Sequence, residues 1–193
     1  HLTIETNLQK FASERLKGMS ASSVFMDVGS GEILSLVSTP SYNPNNFVLG
    51  ISQSNWNALL NDDRKPLLNK ATSGAYPPGS TFKMIVAAAA LELGLIGLDD
   101  KIFCPGFYEL GSRKFHCWLK GGHGKLTLQE AIQKSCDVYF YELARKVGIK
   151  RIGAMARTLG LGQSYNLPLT GLSKGFVPTK KWKKERFGTS WLV

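Results

Sequence analysis

The spacing of apolar and polar residues predicts helices and strands in the first half of the chain. Apolar residues recur at every third or fourth position through 6–16, which predicts a helix. Apolar and polar residues alternate through 23–28 and 32–38, on either side of a Gly-Ser-Gly turn, and this pattern predicts a β-hairpin. A short helix is expected over 56–60. The first half is therefore a mixture of both element types.

The second half is predicted to be mainly helical. The predicted helices are an alanine-rich one from Ser80 to about Leu93, one opened by the capping-box pattern Thr127–Glu130, and two over 138–147 and 150–159. Residues 101–125 are rich in glycine and have few apolar repeats, so an irregular excursion is expected there. The fold class predicted from these elements is α/β (α+β).

Length and composition fit one globular domain of 193 residues, 43% of them hydrophobic. The longest apolar run, 84–91, is too short for a membrane span of roughly 20 residues. The net charge of +10 would suit a nucleic acid, an anionic membrane surface or an anionic polymer, and charge alone does not choose among them. The basic cluster at 180–186 is also typical of a solvated helix face.

Ser80 and Lys83 form an S-x-x-K pair at the start of the alanine-rich helix. Residues three apart share a helix face, so the two side chains can touch. A neighbouring amine can activate a serine hydroxyl as a nucleophile, and a helix N-terminus favours the developing alkoxide. The pair is weak evidence by itself, because serine three positions before lysine occurs by chance in many chains.

Longer motifs give this pair a context. The string Gly-Ala-Tyr-Pro-Pro-Gly-Ser-Thr-Phe-Lys at 74–83 resembles the nucleophile motif of the penicillin-binding transpeptidases. A Ser-Cys-Asp triplet at 135–137 lies where that family has its S-x-N box. Segments 26–34, 40–44 and 178–187 also resemble the elongation-type (class B) penicillin-binding protein 2 family, so the resemblance covers essentially the whole chain.

The resemblance implies a penicillin-binding, serine β-lactamase-like transpeptidase fold and a peptidoglycan D,D-transpeptidase activity. Ser80 would attack the penultimate D-Ala carbonyl of a stem peptide and form an acyl-enzyme, as it would with β-lactams. Lys83 would accept the proton of Ser80, and the Ser135 hydroxyl would relay a proton to the leaving nitrogen. The resemblance implies no organic cofactor.

Asp137 is the one departure in the second box. Asparagine offers both an acceptor and a donor, whereas an ionised aspartate only accepts. An anion within about 4–6 Å favours a protonated lysine. Asp137 is therefore expected either to turn away from Lys83 or to require that the base be regenerated when substrate excludes water. We expect Asp137→Asn to keep or improve activity.

No Lys-Thr-Gly or Lys-Ser-Gly follows Ser135 in the sequence. The resemblance therefore predicts that 1–193 is the N-terminal portion of one transpeptidase domain, truncated before the KTG strand and inactive alone. The expected fold is incomplete: an N-terminal β-hairpin and a mostly helical part, without the C-terminal sheet strands. The resemblance also implies a protein on the periplasmic side of the bacterial inner membrane, with its anchor outside this chain. Its implied partners are stem peptides, β-lactams and cell-wall elongation proteins, and not nucleic acid.

A structural zinc site is predicted at Cys104, Cys117, His123 and Cys136. Their spacing, C-x12-C-x5-H-x12-C, uses every cysteine in the chain. Three thiolates and one imidazole make a closed tetrahedral site, which would stabilise the glycine-rich excursion. One disulfide with a free thiol is the alternative, and an extracytoplasmic location would permit it.

Three other function classes stay open from the sequence. A serine β-lactamase or β-lactam sensor shares the S-x-x-K chemistry and differs in deacylation. A nucleic-acid-binding module would explain the charge and predicts binding that falls steeply with salt. A non-catalytic, metal-stabilised binding domain would explain the cysteines. Of the remaining residues with chemical potential, His116 is predicted to lie in a loop, and Trp118 and the aromatics at 139–141 to line the core or a groove.

Overall fold

A computed structural model describes residues 2–188, which form helices and short antiparallel strand pairs. The helices are α1 (Thr6–Arg15), α2 (Gln53–Asn61), α3 (Lys70–Ser73), α4 (Lys83–Glu92), α5 (Leu128–Gln133), α6 (Asp137–Val147), α7 (Ile149–Thr158) and α8 (Lys180–Phe187). The strands are β1 (Ala21–Met26), β2 (Ile33–Thr39), β3 (Ile102–Cys104), β4 (Phe107–Leu110), β5 (Arg113–His116) and β6 (Gly124–Leu126). A β-hairpin and a mostly helical remainder agree with the predicted α+β class.

The described residues fall into two compact units. The first contains the chain up to Tyr76 together with Ser164–Ser173, and the second contains Pro77–Gln163 and the chain from Lys174 onward. Every residue predicted to have a catalytic or metal-binding role belongs to the second unit.

The first unit contains the predicted hairpin. Strands β1 and β2 pair antiparallel, with Val24 opposite Leu36. Helix α1 packs on β2, where the Gln9 side-chain oxygen accepts hydrogen bonds from the Ser35 hydroxyl (2.9 Å) and the Leu36 N–H (2.8 Å). Ser35 is fully buried, so this bond satisfies a hydroxyl that water cannot reach. The predictions for 6–16, 23–28 and 32–38 are confirmed.

The second unit is organised around α4. Three alanines of α4, at 87, 89 and 90, are buried in a core that also includes Tyr139 and Leu143 of α6. Because alanine has a small side chain, α4 and α6 can approach closely. Their packing fixes the start of α4 relative to the start of α6, and the predicted catalytic residues lie at these two helix ends.

The alanine-rich helix begins later than predicted. Gly79–Phe82 form a 3-10 turn, and α4 itself runs from Lys83 to Glu92. Ser80 therefore lies in the 3-10 turn and Lys83 in the first position of the α-helix. The helix ends at Glu92, close to the predicted end at about Leu93, and Gly94 just beyond it has a left-handed backbone with φ 61°.

The prediction of an irregular excursion at 101–125 is wrong. Strand β3 pairs antiparallel with β6, and β4 pairs antiparallel with β5. Cys104 and Leu126 belong to the buried core of the unit. His116 ends β5, so its predicted loop position is also wrong.

Two glycines permit the close backbone contacts of this region. Gly106 and Gly122 have φ of 100° and 76°, which favour glycine. A Cβ at Gly106 would lie 2.2 Å from the Lys120 carbonyl oxygen, and one at Gly122 would lie 2.3 Å from the Cys104 carbonyl oxygen. These contacts bring the two strand pairs together around the three cysteines.

The remaining helices agree with the sequence patterns. Helix α5 begins with the predicted capping box, in which Thr127 and Glu130 bond to each other's backbone N–H. Helix α8 carries the basic cluster and has no buried residue, as expected of a solvated face. Across residues 2–188, no helix has the length and apolar character needed to cross a bilayer.

Candidate active site and metal-ligand cluster

Three side chains form a hydrogen-bonded chain in the second unit. The Ser135 hydroxyl donates to Ser80 Oγ at 2.9 Å, and Lys83 Nζ donates to Ser135 Oγ at 2.9 Å. Ser80 is exposed, whereas the Lys83 side chain is 14% exposed. The structure thus brings together the residues of both motifs, with the candidate nucleophile on the solvent side.

The amine of Lys83 is held by three acceptors. Besides Ser135 Oγ, it donates to the Ser135 carbonyl oxygen at 2.8 Å and to Asp137 Oδ1 at 2.7 Å. The face of the Phe140 ring lies 5.8 Å away. An ammonium group has three N–H donors, and each has a partner here. This arrangement is that of a protonated, fully hydrogen-bonded lysine.

The hydrogen bonds of Lys83 within residues 2–188 connect it to Ser80 only through Ser135. From the sequence, the proton of Ser80 was expected to pass directly to Lys83. Of the three acceptors around the amine, only the Ser135 hydroxyl can also donate a proton, because a carbonyl and a carboxylate only accept. A proton leaving Ser80 for Lys83 would therefore have to pass through Ser135 Oγ.

Both carboxylate oxygens of Asp137 are used. Oδ1 contacts Lys83, and Oδ2 accepts the backbone N–H of Trp118 at 3.0 Å. Of the two arrangements expected from the sequence, the one in which Asp137 turns away from Lys83 is wrong. Asp137 therefore links Lys83 to the backbone of Trp118, which follows strand β5.

Ser135 has a strained backbone. Its φ of 48° lies in the left-handed region, which costs a non-glycine residue about 1–2 kcal/mol. The Ser135 N–H donates to the Ile132 carbonyl at 3.0 Å and the Cys136 N–H to the Ala131 carbonyl at 2.9 Å. These bonds close the end of α5 and hold the hydroxyl between Ser80 and Lys83.

The four predicted metal ligands also come together. The ligand atoms of Cys104, Cys117, His123 and Cys136 all lie within 4.8 Å of one another. The pairing of Cys104 with Gly124 puts Cys104 beside His123, and the bond from the Cys117 N–H to the Gly106 carbonyl (2.9 Å) brings in Cys117. All three cysteines are buried, and all are free thiols.

The geometry of this cluster fits a tetrahedral metal. His123 Nδ1 lies 3.7 Å from Cys104 Sγ and 3.5 Å from Cys117 Sγ. Zinc bonds of about 2.3 Å to sulfur and about 2.1 Å to nitrogen, at tetrahedral angles, give a sulfur–nitrogen separation of about 3.6 Å. Nδ1 faces the sulfurs, while Nε2 is buried without a hydrogen-bond partner among the residues described. Nδ1 is therefore the nitrogen available to a metal.

The thiols differ in how readily they ionise. Burial alone would raise the pKa of Cys117, but the backbone N–H groups of Leu119, Val138 and Asp137 lower it below the usual value. Burial, together with the neighbouring Cys104 and Cys117, raises the pKa of Cys136 to about 12. Three thiolates cannot coexist in this volume without a cation, so ligation by all three requires a positive charge at their centre.

The two sites share their backbone. Cys136 lies between Ser135 and Asp137, and Cys117 directly precedes Trp118, whose N–H binds Asp137. The sequence interpretation gave Trp118 only a place in the core or a groove. The one sequence feature that linked Trp118 to the site was its position directly after Cys117, a predicted metal ligand.

The chain is similar to known cell-wall enzymes. The penicillin binding protein transpeptidase domain matches residues 21–193. The peptidoglycan D,D-transpeptidase MrdA of Escherichia coli K12 is 42% identical over 99% of this chain and 30% of its own length. A crystal structure of Pseudomonas aeruginosa PBP2 in complex with WCK 5153 superposes with a TM-score of 0.92, at 38% identity over 98% of this chain and 44% of that one.

The complex between PBP2 and MreC from Helicobacter pylori gives a TM-score of 0.91, at 38% identity over 97% of this chain and 36% of that one. The chain thus spans about a third of the length of the curated relatives it matches.

Proposed function

The chain belongs to the penicillin-binding protein transpeptidase domain family, and on that premise we propose that it carries the nucleophile-bearing part of a peptidoglycan D,D-transpeptidase. Membership agrees with the resemblance inferred from the motifs. The observation that supports the proposal best is the hydrogen-bonded chain from Ser80 through Ser135 to Lys83. Nucleophile, relay and base within hydrogen-bond reach are the parts that serine acyl transfer requires.

In the proposed reaction, Ser80 Oγ attacks the penultimate D-Ala carbonyl of a stem peptide. Its proton passes through Ser135 Oγ to Lys83, which must first have released one proton. The amide bond to the terminal D-Ala breaks, and the leaving nitrogen takes a proton back along the same path. An amine of a neighbouring stem peptide then attacks the acyl-enzyme, forms the cross-link and frees Ser80. A β-lactam would stop at the acyl-enzyme.

The experiment is to treat a protein of the relatives' full length with penicillin and locate the adduct by peptide mass spectrometry. The adduct should lie on Ser80, and Ser80→Ala should lose it. Ser112→Ala is the matched control, because Ser112 lies in the same unit at the exposed β4–β5 turn and should leave the adduct in place. Acylation that persists in Ser80→Ala would refute the assignment, and rapid deacylation would favour a β-lactamase or sensor.

The cysteine and histidine cluster is proposed to bind one structural zinc ion. Support comes from the buried set of donors and from its match to the sulfur–nitrogen separation of a tetrahedral site. Bound zinc would supply the charge that keeps the thiolates ionised and would cross-link both strand pairs to the start of α6. Protein purified without chelator should contain one zinc per chain by elemental analysis. No zinc, together with a disulfide in non-reducing peptide maps, would refute this assignment.

The proposed setting is the periplasmic side of the bacterial inner membrane, within cell-wall elongation. The Helicobacter pylori relative has been solved with MreC and the Pseudomonas aeruginosa relative with WCK 5153. We propose stem peptides, β-lactams and elongation proteins as partners for this chain on that analogy. Co-purification of a full-length protein with its own MreC relative would test the elongation partner, and failure of the two to bind would refute it.

A further inference from the structure

Trp118 is unusual in being both exposed and firmly held. It is 62% exposed, yet its indole N–H donates to the Lys134 carbonyl at 3.1 Å and its backbone N–H donates to Asp137. The His123 ring packs edge-on against it, with centroids 5.3 Å apart. An exposed indole with its polar group satisfied presents an apolar face that is already in a fixed position.

That face lines an open groove that leads to the catalytic hydroxyls. The groove has a volume of about 550 Å3 and is lined by Trp118, Leu119, His123, Gln133, Lys134 and Ser135. Ser135 Oγ is 2.9 Å from Ser80 Oγ, so a peptide whose carbonyl lies at Ser80 can extend along this groove. The groove combines an apolar wall with a lysine and a glutamine. It fits a peptide that has aliphatic side chains and a free carboxylate.

We propose that Trp118 is a substrate-contacting residue that positions the stem peptide. Its indole packs against an aliphatic part of the peptide bound at Ser80, and Lys134 attracts a carboxylate of the same peptide. The inference rests on the proposed transpeptidase function and adds the surface that selects a peptide over a minimal acyl donor. Rigid aromatic side chains at the edge of a site are suited to this role, because they lose little conformational entropy on binding.

Kinetics with two substrates tests this assignment in a full-length protein. One substrate is a peptide ester that ends in a D-Ala-D-lactate-type bond, and the other is a penam nucleus without an acyl side chain. We expect Trp118→Ala to raise KM for the peptide about tenfold while kcat stays within about twofold, the pattern of lost ground-state binding. Acylation by the penam should stay within about twofold, because a penam nucleus without an acyl side chain lacks the aliphatic peptide part that the indole is proposed to contact.

Two further variants separate substrate contact from structural support. Trp118→Phe keeps an aromatic face and loses the bond to the Lys134 carbonyl, so it should retain a KM near that of the unmodified protein. Phe103→Ala removes another exposed aromatic, 59% exposed, from the same region but outside this groove, and should change neither constant.

Two results would overturn the assignment. One is a Trp118→Phe variant as impaired as Trp118→Ala, and the other is a Trp118→Ala loss that appears in kcat and in penam acylation. Either would show that the indole only supports the Lys134–Ser135 backbone. If the unmodified protein is not acylated by the penam at all, the proposed function fails first, and this inference fails with it.

Discussion

Replacing Asp137 by asparagine should impair the protein, although the family pattern alone suggests the opposite. An asparagine side chain has one carbonyl oxygen and one NH2 group. If its oxygen accepts from the Trp118 N–H, its NH2 group faces the Lys83 ammonium; if the amide is flipped, the NH2 group faces the Trp118 N–H. Each orientation sets two donors against each other, so one of the two bonds is lost.

The size of the effect is estimated from the hydrogen bond between Lys83 and Asp137, in which both groups are charged. A hydrogen bond to a charged group contributes about 1.5–3 kcal/mol net. The Lys83 and Asp137 side chains are 14% and 24% exposed, so solvent screens their 2.7 Å contact in part. We therefore take about 2 kcal/mol, in the lower half of that range. That free energy corresponds to about a 30-fold change in a rate or equilibrium constant.

The assay is the second-order rate of acylation by a fluorescent penicillin, measured with the free energy of unfolding in urea. Asp137→Asn should lower the unfolding free energy by about 2 kcal/mol, and it should lower acylation by up to about 30-fold, because the lost bond lets Lys83 or the Trp118 backbone shift out of place. Asp100→Asn is the matched control, because Asp100 Oδ2 accepts a backbone N–H from Gly97 at 2.7 Å in the same unit, away from Lys83. It should leave acylation unchanged.

Acylation and stability that both match the unmodified protein would refute the reasoning, since they would show that Asp137 does not need both acceptors. A loss of stability without a loss of acylation would limit Asp137 to a structural role through Trp118.

Three other predictions follow from single contacts. Ser135→Gly should be more stable than Ser135→Ala by about 1 kcal/mol in urea unfolding, because only glycine relieves the strain of a φ of 48°. Both variants should lose acylation. Equal stabilities of the two variants would contradict the backbone strain at Ser135. Thr127→Ala should lower the unfolding free energy by about 1 kcal/mol, with Thr127→Ser as control. The Thr127 N–H and hydroxyl lower the pKa of Glu130 below 4.5, so the stabilisation from the Glu130 carboxylate should be present above pH 4.5 and fade as pH falls through the folded pKa. It should be smaller in the alanine variant, which keeps only the bond from the N–H of residue 127. Zinc affinity, measured by chelator competition, should rise about tenfold per pH unit for each thiol proton that zinc displaces. Because the pKa of Cys136 is about 12, its thiol must lose a proton when zinc binds, so the affinity of Cys136→Ser should depend less steeply on pH. An unchanged slope would exclude Cys136 as a ligand.

Long periodic segments made most of the fold predictable from the sequence. The helices at 6–16, 138–147 and 150–159 have enough turns for a repeating apolar face, and the capping box marks the start of α5 without reference to tertiary structure. The strands within 101–125 have three or four residues each. An alternation of that length carries too little signal to distinguish it from loop, and the glycines that permit the close backbone contacts are also typical of loops.

Motifs predicted the members of the site but not their connections. The S-x-x-K spacing identified Ser80 and Lys83, the resemblance to the penicillin-binding transpeptidases identified Ser135, and the count of cysteines led to the metal cluster. The left-handed φ of Ser135 and the bond from the Trp118 N–H to Asp137 depend on how separate elements pack. A single sequence contains no local pattern for either, which is why the position of Asp137 stayed open until the geometry was known.

The position of Cys136 between two candidate catalytic residues has a physical reason. Ser135 must keep a strained backbone for its hydroxyl to lie between Ser80 and Lys83, and such a conformation persists only where neighbouring contacts fix it. Cys136 is fully buried, and Asp137 opens α6. A ligand bond at Cys136 would therefore anchor the residue directly after the strained one, and Cys117 would anchor the residue directly before Trp118. The metal cluster can thus fix both ends of the Trp118–Asp137 bond without contacting substrate.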